Sequence, residues 1–176
     1  MQASRIFAYG SLLNEASLRK TVPNATKLYP AKIVGFRRIF NLASHYRFCF
    51  EQQSPVCVLN LEEANSDSVL NGICFEMDAS SFDALIGRER IYQMHEVTVY
   101  QYNDEGPHRS ANVFWAKDHE AYRFLTNSNA QRHYLNLCIH GCESFGSRFL
   151  ADFKNSTVFW GIDSEHGIDR IWRGKY

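Results

Sequence analysis

Net charge, paired cysteines and long apolar segments are all missing from this chain. Its 19 basic residues are balanced by 19 acidic ones, so no overall positive charge favours nucleic acid or anionic lipid as a partner. Arg37, Arg38 and Arg47 alone are too few to predict a basic face. No apolar run approaches the roughly 20 residues of a membrane-spanning helix. We therefore expect neither a nucleic-acid partner nor a membrane span.

The five cysteines are odd in number and contain no Cys-x-x-Cys motif: Cys49, Cys57, Cys74, Cys138 and Cys142. Such a set is typical of a reduced protein whose thiols serve as small hydrophobic side chains. The N-terminal segment MQASRIFAYGSLL lacks the positive flank and the long apolar stretch of a secretory signal. We expect a cytoplasmic protein.

Motifs for common cofactors and nucleophiles are also missing. The chain has neither a phosphate-binding P-loop nor a Gly-x-Gly-x-x-Gly sequence. Residues 163–166, DSEH, lack the Gly-x-Ser-x-Gly turn that exposes a serine nucleophile. On a helix His140 would project about 200° from Cys138, so these two and Cys142 cannot converge on a metal. We expect neither a metal nor an organic cofactor.

What the sequence does contain is material for one packed domain. A chain of 176 residues with 45% hydrophobic side chains needs neither disulfide nor metal to fold. No repeat or linker divides it, so we predict a single α+β domain over residues 1–176, dominated by antiparallel strands. Residues from about 155 to 176 form a C-terminal extension that the pattern leaves unassigned.

β-branched and aromatic residues, punctuated by turn residues, predict the strands. The first begins at Ser4 and breaks at Gly10, and the second segment is interrupted by Pro30 and Gly35. The predicted extended segments after the first are 28–44, 55–63, 69–78, 92–102 and 110–117, with turns at 51–55, 64–68 and 103–107.

Helical signals occur in three places. Asn14 can cap a helix over 14–22, and Asp78 or Ser80 can cap a second one that Gly87 would end. From Ala130 onward, apolar residues at spacings of three and four form a single predicted stripe: Tyr134, Cys138, Cys142, Phe145 and Phe149.

The segment Phe7-Ala8-Tyr9-Gly10-Ser11-Leu12-Leu13 is the first candidate site. A strand that stops at Tyr-Gly-Ser can leave backbone N–H groups directed into a cavity, where they bind a carboxylate or an oxyanion. At Gly10 a Cβ would obstruct the approach of a ligand. The alternative interpretation is a strand end followed by an ordinary turn.

Glu89 is the second candidate, because it follows a short predicted helix and lies between apolar segments. Partial burial would raise its carboxyl pKa toward the range of general acid/base catalysis. Arg88 and Arg90 would act in the opposite direction by favouring the charged form, unless they point away. The alternative is a solvated Arg-Glu-Arg surface run.

Tyr134, near the start of the late helix, is the third candidate. It could line a pocket with its hydroxyl directed at a ligand. Alternatively, it is an ordinary core residue on the apolar stripe.

Taken together, FAYGSLL, the acidic residue of GRERIY and the segment YLNLCIHGCESFGSRFLADF resemble the gamma-glutamylcyclotransferase-like family. The three matches occur in the family's order and spacing, over roughly residues 5–153. The resemblance implies a small mixed, mostly antiparallel β-barrel with surrounding helices. It also implies an amide-cleaving, cyclising acyltransferase or lyase. Glutathione metabolism is one implied role, since glutathione is one of several γ-glutamyl compounds that such an enzyme could cleave.

The resemblance further implies roles for particular residues. Glu89 would be the catalytic acid/base, the backbone around Tyr9, Gly10, Ser11 and Leu12 would bind the glutamyl part of the substrate, and Tyr134 would line the pocket. The substrate would be a small γ-glutamyl molecule that loses 5-oxoproline, with no cofactor. Which γ-glutamyl compound it is, and the oligomeric state, stay open.

Two other functions are kept as alternatives. The first is a non-catalytic domain of the same fold that only binds a small acid. The second is a protein-interaction module built on the aromatic tail after Asn155, which contains Trp160 and Trp172. The tail matches no part of the family that we identify, and one hypothesis is that it covers the pocket and narrows the choice of substrate.

Overall fold

A computed structural model describes residues 4–104 and 106–174 of the chain. Eight strands and five α-helices follow one another in these residues. They are β1 (Ser4–Ala8), α1 (Glu15–Thr21), β2 (Thr26–Val34), β3 (Phe36–Cys49), β4 (Ser54–Glu63), β5 (Val69–Met77), α2 (Ala79–Arg88), β6 (Gln93–Gln101), β7 (Arg109–Trp115), α3 (Asn129–Glu143), α4 (Ser147–Asn155), β8 (Thr157–Phe159) and α5 (Glu165–Trp172).

The strands form a closed barrel and a smaller sheet. The barrel order is β1-β5-β2-β6-β7, and the three-stranded sheet has the order β4-β3-β8. Pairing is antiparallel except between β1 and β7, which close the barrel, and between β3 and β8. The predicted fold class, an α+β protein with a mixed and mostly antiparallel barrel, is confirmed.

Pro30 does not interrupt a strand, contrary to the prediction. It lies inside β2, paired with Ile73 of β5. On the other side β2 pairs with β6 only at Ala31 and Lys32, so the missing N–H of proline falls where that ladder has ended. Gly35 does separate β2 from β3, and its φ of 83° explains why glycine is there.

The first two helices begin at the predicted caps. The side chain of Asn14 accepts from the Ser17 N–H, and that of Asp78 accepts from the Ser81 N–H. Gly87 does not end α2, because it keeps a negative φ and the helix continues to Arg88. Glu89 is nevertheless the residue directly after the helix, as predicted.

The late helical stripe is divided between two helices rather than one. α3 ends at Glu143, and Gly146, with a φ of 100°, turns the chain into α4. The turn predicted at 103–107 connects β6 and β7, although its residue 105 lies outside the described residues.

Gly141 sets the approach of α3 to the segment after β1. A Cβ at Gly141 would lie 2.5 Å from both the Leu13 carbonyl carbon and the Asn14 nitrogen, closer than atoms can pack. Glycine therefore lets α3 press directly on the 3₁₀ turn Ser11–Leu13. This contact holds the turn at the end of the barrel.

The C-terminal tail is part of the packed core. β8 adds to β3, and the Phe159 ring stacks on Phe40 with 5.0 Å between centroids. Trp172 of α5 contacts Phe159 edge-on at 5.1 Å. The unassigned extension thus forms a strand and a helix behind the β3–β4 hairpin. In the described residues, no helix has the length and apolar character needed to cross a bilayer.

Candidate active site

One pocket at the end of the barrel brings the predicted site residues together. All six predicted residues line it: Tyr9, Gly10, Ser11, Leu12, Glu89 and Tyr134. Further lining residues come from β3, β4 and β7. None of the described residues of the tail, which run to residue 174, lines this pocket, so this part of the tail does not cover it as the hypothesis expected.

The pocket is narrow in this conformation. Its free volume is about 50 Å³, which is room for a few water molecules. A glutamyl group is larger, so its entry requires side chains at the mouth to move outward. Tyr46 is suited to this movement because 56% of it is exposed.

The 3₁₀ turn supplies the unpaired backbone donors that the sequence predicted. The Leu13 N–H is used inside the turn, where it donates to the Gly10 carbonyl at 2.9 Å. For the N–H groups of Gly10, Ser11 and Leu12, no acceptor occurs in the described part of the chain. A Cβ at Gly10 would stand 3.4 Å from the Tyr134 hydroxyl and would fill part of the pocket.

Three tyrosine hydroxyls fix the walls through backbone hydrogen bonds. Tyr9 donates to the Phe114 carbonyl at 2.7 Å, across the barrel end. Tyr92 donates to the Leu59 carbonyl at 2.8 Å, while the Leu59 N–H donates to the Tyr134 hydroxyl at 3.3 Å. Burial raises the pKa of each phenol well above its usual value. These hydroxyls therefore stay protonated at neutral pH.

Glu89 is placed in the pocket by the end of α2. Its N–H still completes the helix by donating to the Leu85 carbonyl at 2.9 Å, and the chain then turns toward β6. The side chain is only 13% exposed. The alternative of a solvated surface run therefore does not describe Glu89, although Arg90 beside it is exposed.

Burial raises the pKa of the Glu89 carboxyl, and the positive charges of Arg88 and Arg47 partly oppose this rise. Desolvation is the larger effect, because the carboxyl loses most of its contact with water. A raised pKa brings the protonated and ionised forms of the carboxyl closer in energy, which favours the exchange of a proton at this position.

Arg88 is a functional candidate that the sequence analysis did not identify. Contrary to the possibility that it points away, its Nε lies 3.1 Å from Glu89 Oε1. Its terminal nitrogens donate to Thr21 Oγ1 at 2.7 Å and to Ser11 Oγ at 3.0 Å. Arg88 thus connects α1 and the 3₁₀ turn to the carboxylate. This role is visible only in the three-dimensional contacts, because Thr21 and Ser11 are 67 and 77 positions away from Arg88 in the sequence.

Arg47 and Tyr46 at the end of β3 were also missed. The Arg47 guanidinium lies 5.2 Å from the centroid of the Tyr134 ring and 5.8 Å from that of Tyr46. No motif in the sequence marks these two residues, because their position depends on how the long β3–β4 hairpin folds over α3.

No metal site is seen in residues 4–104 and 106–174, where no three acidic, cysteine or histidine side chains cluster to hold an ion. Cys138 and Cys142 are buried, whereas His140 is exposed on the other side of α3.

The closed barrel, the Tyr-Gly-Ser turn and the buried carboxyl together define a γ-glutamylcyclotransferase-like protein. A family model described as "ChaC-like protein" matches residues 4–151, which include the turn, Glu89 and Tyr134. The chain belongs to this ChaC-like family, and the resemblance seen in the sequence is confirmed. No sequence among curated proteins matches the chain.

Solved structures share the fold over nearly the whole chain. One described as "Gamma-glutamyl cyclotransferase" has a TM-score of 0.70 at 18% identity, with 98% of this chain and 100% of that chain covered. A human structure described as "uncharacterized protein loc79017" also has a TM-score of 0.70 at 18% identity, with 98% and 99% covered. A yeast γ-glutamyl cyclotransferase described as specific to glutathione has a TM-score of 0.66 at 16% identity, with 89% and 98% covered. At these identities the likeness establishes the fold.

Proposed function

We propose that this protein is an enzyme that releases 5-oxoproline from a γ-glutamyl amide or peptide, with Glu89 as its general acid/base. The observation that carries the proposal is the position of Glu89, a carboxyl that is 13% exposed and lines the same pocket as the unpaired N–H groups after β1. The five buried, unpaired cysteines support a cytoplasmic location.

Glu89 is expected to act first as a general base and then as a general acid. The ionised carboxylate takes a proton from the α-ammonium group of the substrate, and the freed amine attacks the γ-carbonyl carbon of the same molecule. A five-membered ring closes, and the bond from the γ-carbon to the leaving nitrogen breaks as Glu89 returns the proton to that nitrogen. The ring nitrogen then loses its second proton, to the carboxylate that is freed or to water, and becomes the lactam N–H. The products are 5-oxoproline and a free amine. Because the nucleophile belongs to the substrate, the protein gains rate by folding the substrate into the reactive shape.

The remaining pocket residues would hold the substrate. The N–H groups of Gly10, Ser11 and Leu12 suit the glutamyl carboxylate, or the negative charge that develops on the γ-oxygen. Tyr134 would line the pocket beside Gly10 and hydrogen-bond the substrate through its hydroxyl.

The test is 5-oxoproline release from a panel of γ-glutamyl peptides and amines, with the native protein and with Glu89→Gln. Glutamine keeps the size of the side chain but cannot exchange the proton. General acid/base catalysis contributes about 10²- to 10⁴-fold, so we expect kcat to fall by that factor while circular dichroism shows an unchanged fold. Near-normal turnover by Glu89→Gln would falsify the assignment. Binding of these compounds by the native protein without product would instead indicate the non-catalytic alternative.

A further inference from the structure

A second cavity, with a volume of about 700 Å³, opens beside the pocket and shares Tyr46 with it. We call it the basic cleft. Its lining includes the side chains of Lys20, Arg47, Arg88 and His133 and contains no Asp or Glu. Such a cleft favours anions, because the charged groups in its lining are all basic and low-dielectric walls strengthen their field.

The four side chains differ in how many of their charges and donors already have partners within the protein. Arg88 is neutralised by Glu89 and hydrogen-bonded to α1 and the 3₁₀ turn. Lys20 and His133 are exposed, and no carboxylate lies within ion-pair distance of Lys20 in the described residues.

Arg47 is the unusual member of the group. In the described part of the chain its guanidinium contacts the rings of Tyr134 and Tyr46, and it has no ion-pair partner there. Its buried Nε also has no hydrogen-bond acceptor. A half-buried guanidinium without a carboxylate is a natural binding partner for an anionic ligand, since arginine binds carboxylates through paired hydrogen bonds.

We propose that the basic cleft binds a carboxylate on the leaving group, with Arg47 as the main contact and with Lys20 and His133 further out. This inference rests on the proposed function, and it makes Arg47 a residue that selects among leaving groups by their terminal carboxylate. The glutamyl part would occupy the pocket, and the leaving group would pass Tyr46 into the cleft.

The dimensions of a short peptide agree with this arrangement. Each residue extends a chain by at most about 3.6 Å, so the terminal carboxylate of a one-residue leaving group stays near the scissile bond. Arg47 is close enough to this region for its charge to lower the pKa of Glu89. A two-residue leaving group could place its carboxylate up to about 7 Å from the scissile bond, toward Lys20 and His133 on α1 and α3.

The test compares γ-glutamyl-alanine with γ-glutamyl-alaninamide, which differ only in the terminal carboxylate. Calorimetry with full-length Glu89→Gln measures binding of both without consuming them. A charge-assisted contact predicts roughly tenfold tighter binding of the acid. Because the cleft is open to solvent, this preference should shrink at high salt.

Variants of Arg47 decide whether the preference comes from the cleft. Arg47→Gln should abolish it, whereas Arg47→Lys keeps the charge and should retain part of it. Arg109→Gln is the control, since Arg109 is an exposed residue that lines neither cavity. If Arg47→Gln weakens binding of the acid and the amide equally, Arg47 only supports Tyr134 and the inference is wrong.

The same compounds separate this inference from the proposed function. If the native protein turns over no compound of the γ-glutamyl panel, these two included, the proposed function is wrong, while a preference for the acid that depends on Arg47 still supports an anion-binding cleft. Equal affinity for the acid and the amide, or no binding of the acid at millimolar concentration, overturns the inference whether or not 5-oxoproline is formed.

Discussion

Two charged side chains, Arg38 and Glu89, are buried around Tyr9, and their surroundings differ. Arg38 is completely buried, and its Nε donates to the Tyr9 carbonyl at 2.8 Å. Its other donors reach backbone carbonyls and hydroxyls of residues that come from β5, α4 and the start of β8: Asn71, Phe153, Ser156 and Thr157. Glu89, in contrast, forms an ion pair with Arg88 and borders a cavity.

The difference separates a structural charge from one that is available for chemistry. Burial lowers the pKa of Arg38 to about 10, so it keeps its charge at neutral pH, and that charge is satisfied by the dipoles around it. The raised pKa of Glu89 instead leaves its two protonation states closer in energy. Arg38 therefore connects the tail to the turn at Tyr9, while Glu89 is the group for which we propose proton exchange.

The largest expected effect on stability is that of Arg38→Ala. The substitution leaves the carbonyls of Tyr9 and Asn71 without their donor and opens a cavity beside Phe153, whose ring lies 4.1 Å from the guanidinium carbon. We expect the free energy of unfolding, measured by urea titration, to fall by about 3–5 kcal/mol. A loss below about 1 kcal/mol would contradict the structural role of Arg38.

Removing the charge beside Glu89 should move the pH dependence of turnover. In Arg88→Met the carboxylate loses a cation at 3.1 Å, so the pKa of Glu89 rises further. Since the first step needs the ionised form, the acidic limb of the kcat/KM profile should shift to higher pH. Arg88→Lys should shift it less, and Arg90→Met, at an exposed position, should leave it in place. An unshifted limb in Arg88→Met would show that Arg88 does not act on Glu89.

Tyr134→Phe should have a smaller effect. It removes the hydroxyl that accepts from the Leu59 N–H at 3.3 Å but keeps the ring beneath Arg47. One hydrogen bond is worth about 1 kcal/mol, and thermal or urea unfolding should show a loss of that size. A much larger loss would mean that the hydroxyl organises more of the β4 wall than this one hydrogen bond.

The smallest expected effect is that of Glu89→Gln on stability. A carboxyl whose pKa is raised by folding contributes stability at low pH that is lost as the pH rises through its folded pKa. Glutamine stays neutral, so the variant should be at least as stable as the native protein at neutral pH, and the difference should diminish in acid. Thermal unfolding at both pH values tests this, and a marked loss at neutral pH would make Glu89 a structural residue like Arg38.

Much of the local structure could be predicted from the sequence. Asn14 and Asp78 cap the helices as expected, and Glu89 follows α2, because these features depend on residues three or four positions apart. Errors arose where the cause is not local. Pro30 is tolerated because the neighbouring ladder ends beside it.

The structure of the tail was also not predictable from local sequence patterns. β8 is only three residues long and becomes a strand because β3 offers it a free edge. Arg38 was considered only as a surface charge, since its partners at the end of the chain are more than 110 positions away. Contacts over such separations leave no pattern in a single sequence.

The sequence by itself determined which carboxyl and which glycine-containing turn could act, and it placed each at the end of a strand or helix. Only the tertiary structure decided that Glu89 is buried beside that turn, that Arg88 is its partner, and that Arg47 faces a cleft without a carboxylate. The physical reason is that desolvation and charge pairing depend on the neighbours that packing supplies. Helix caps and strand ends, by contrast, depend on neighbours along the chain.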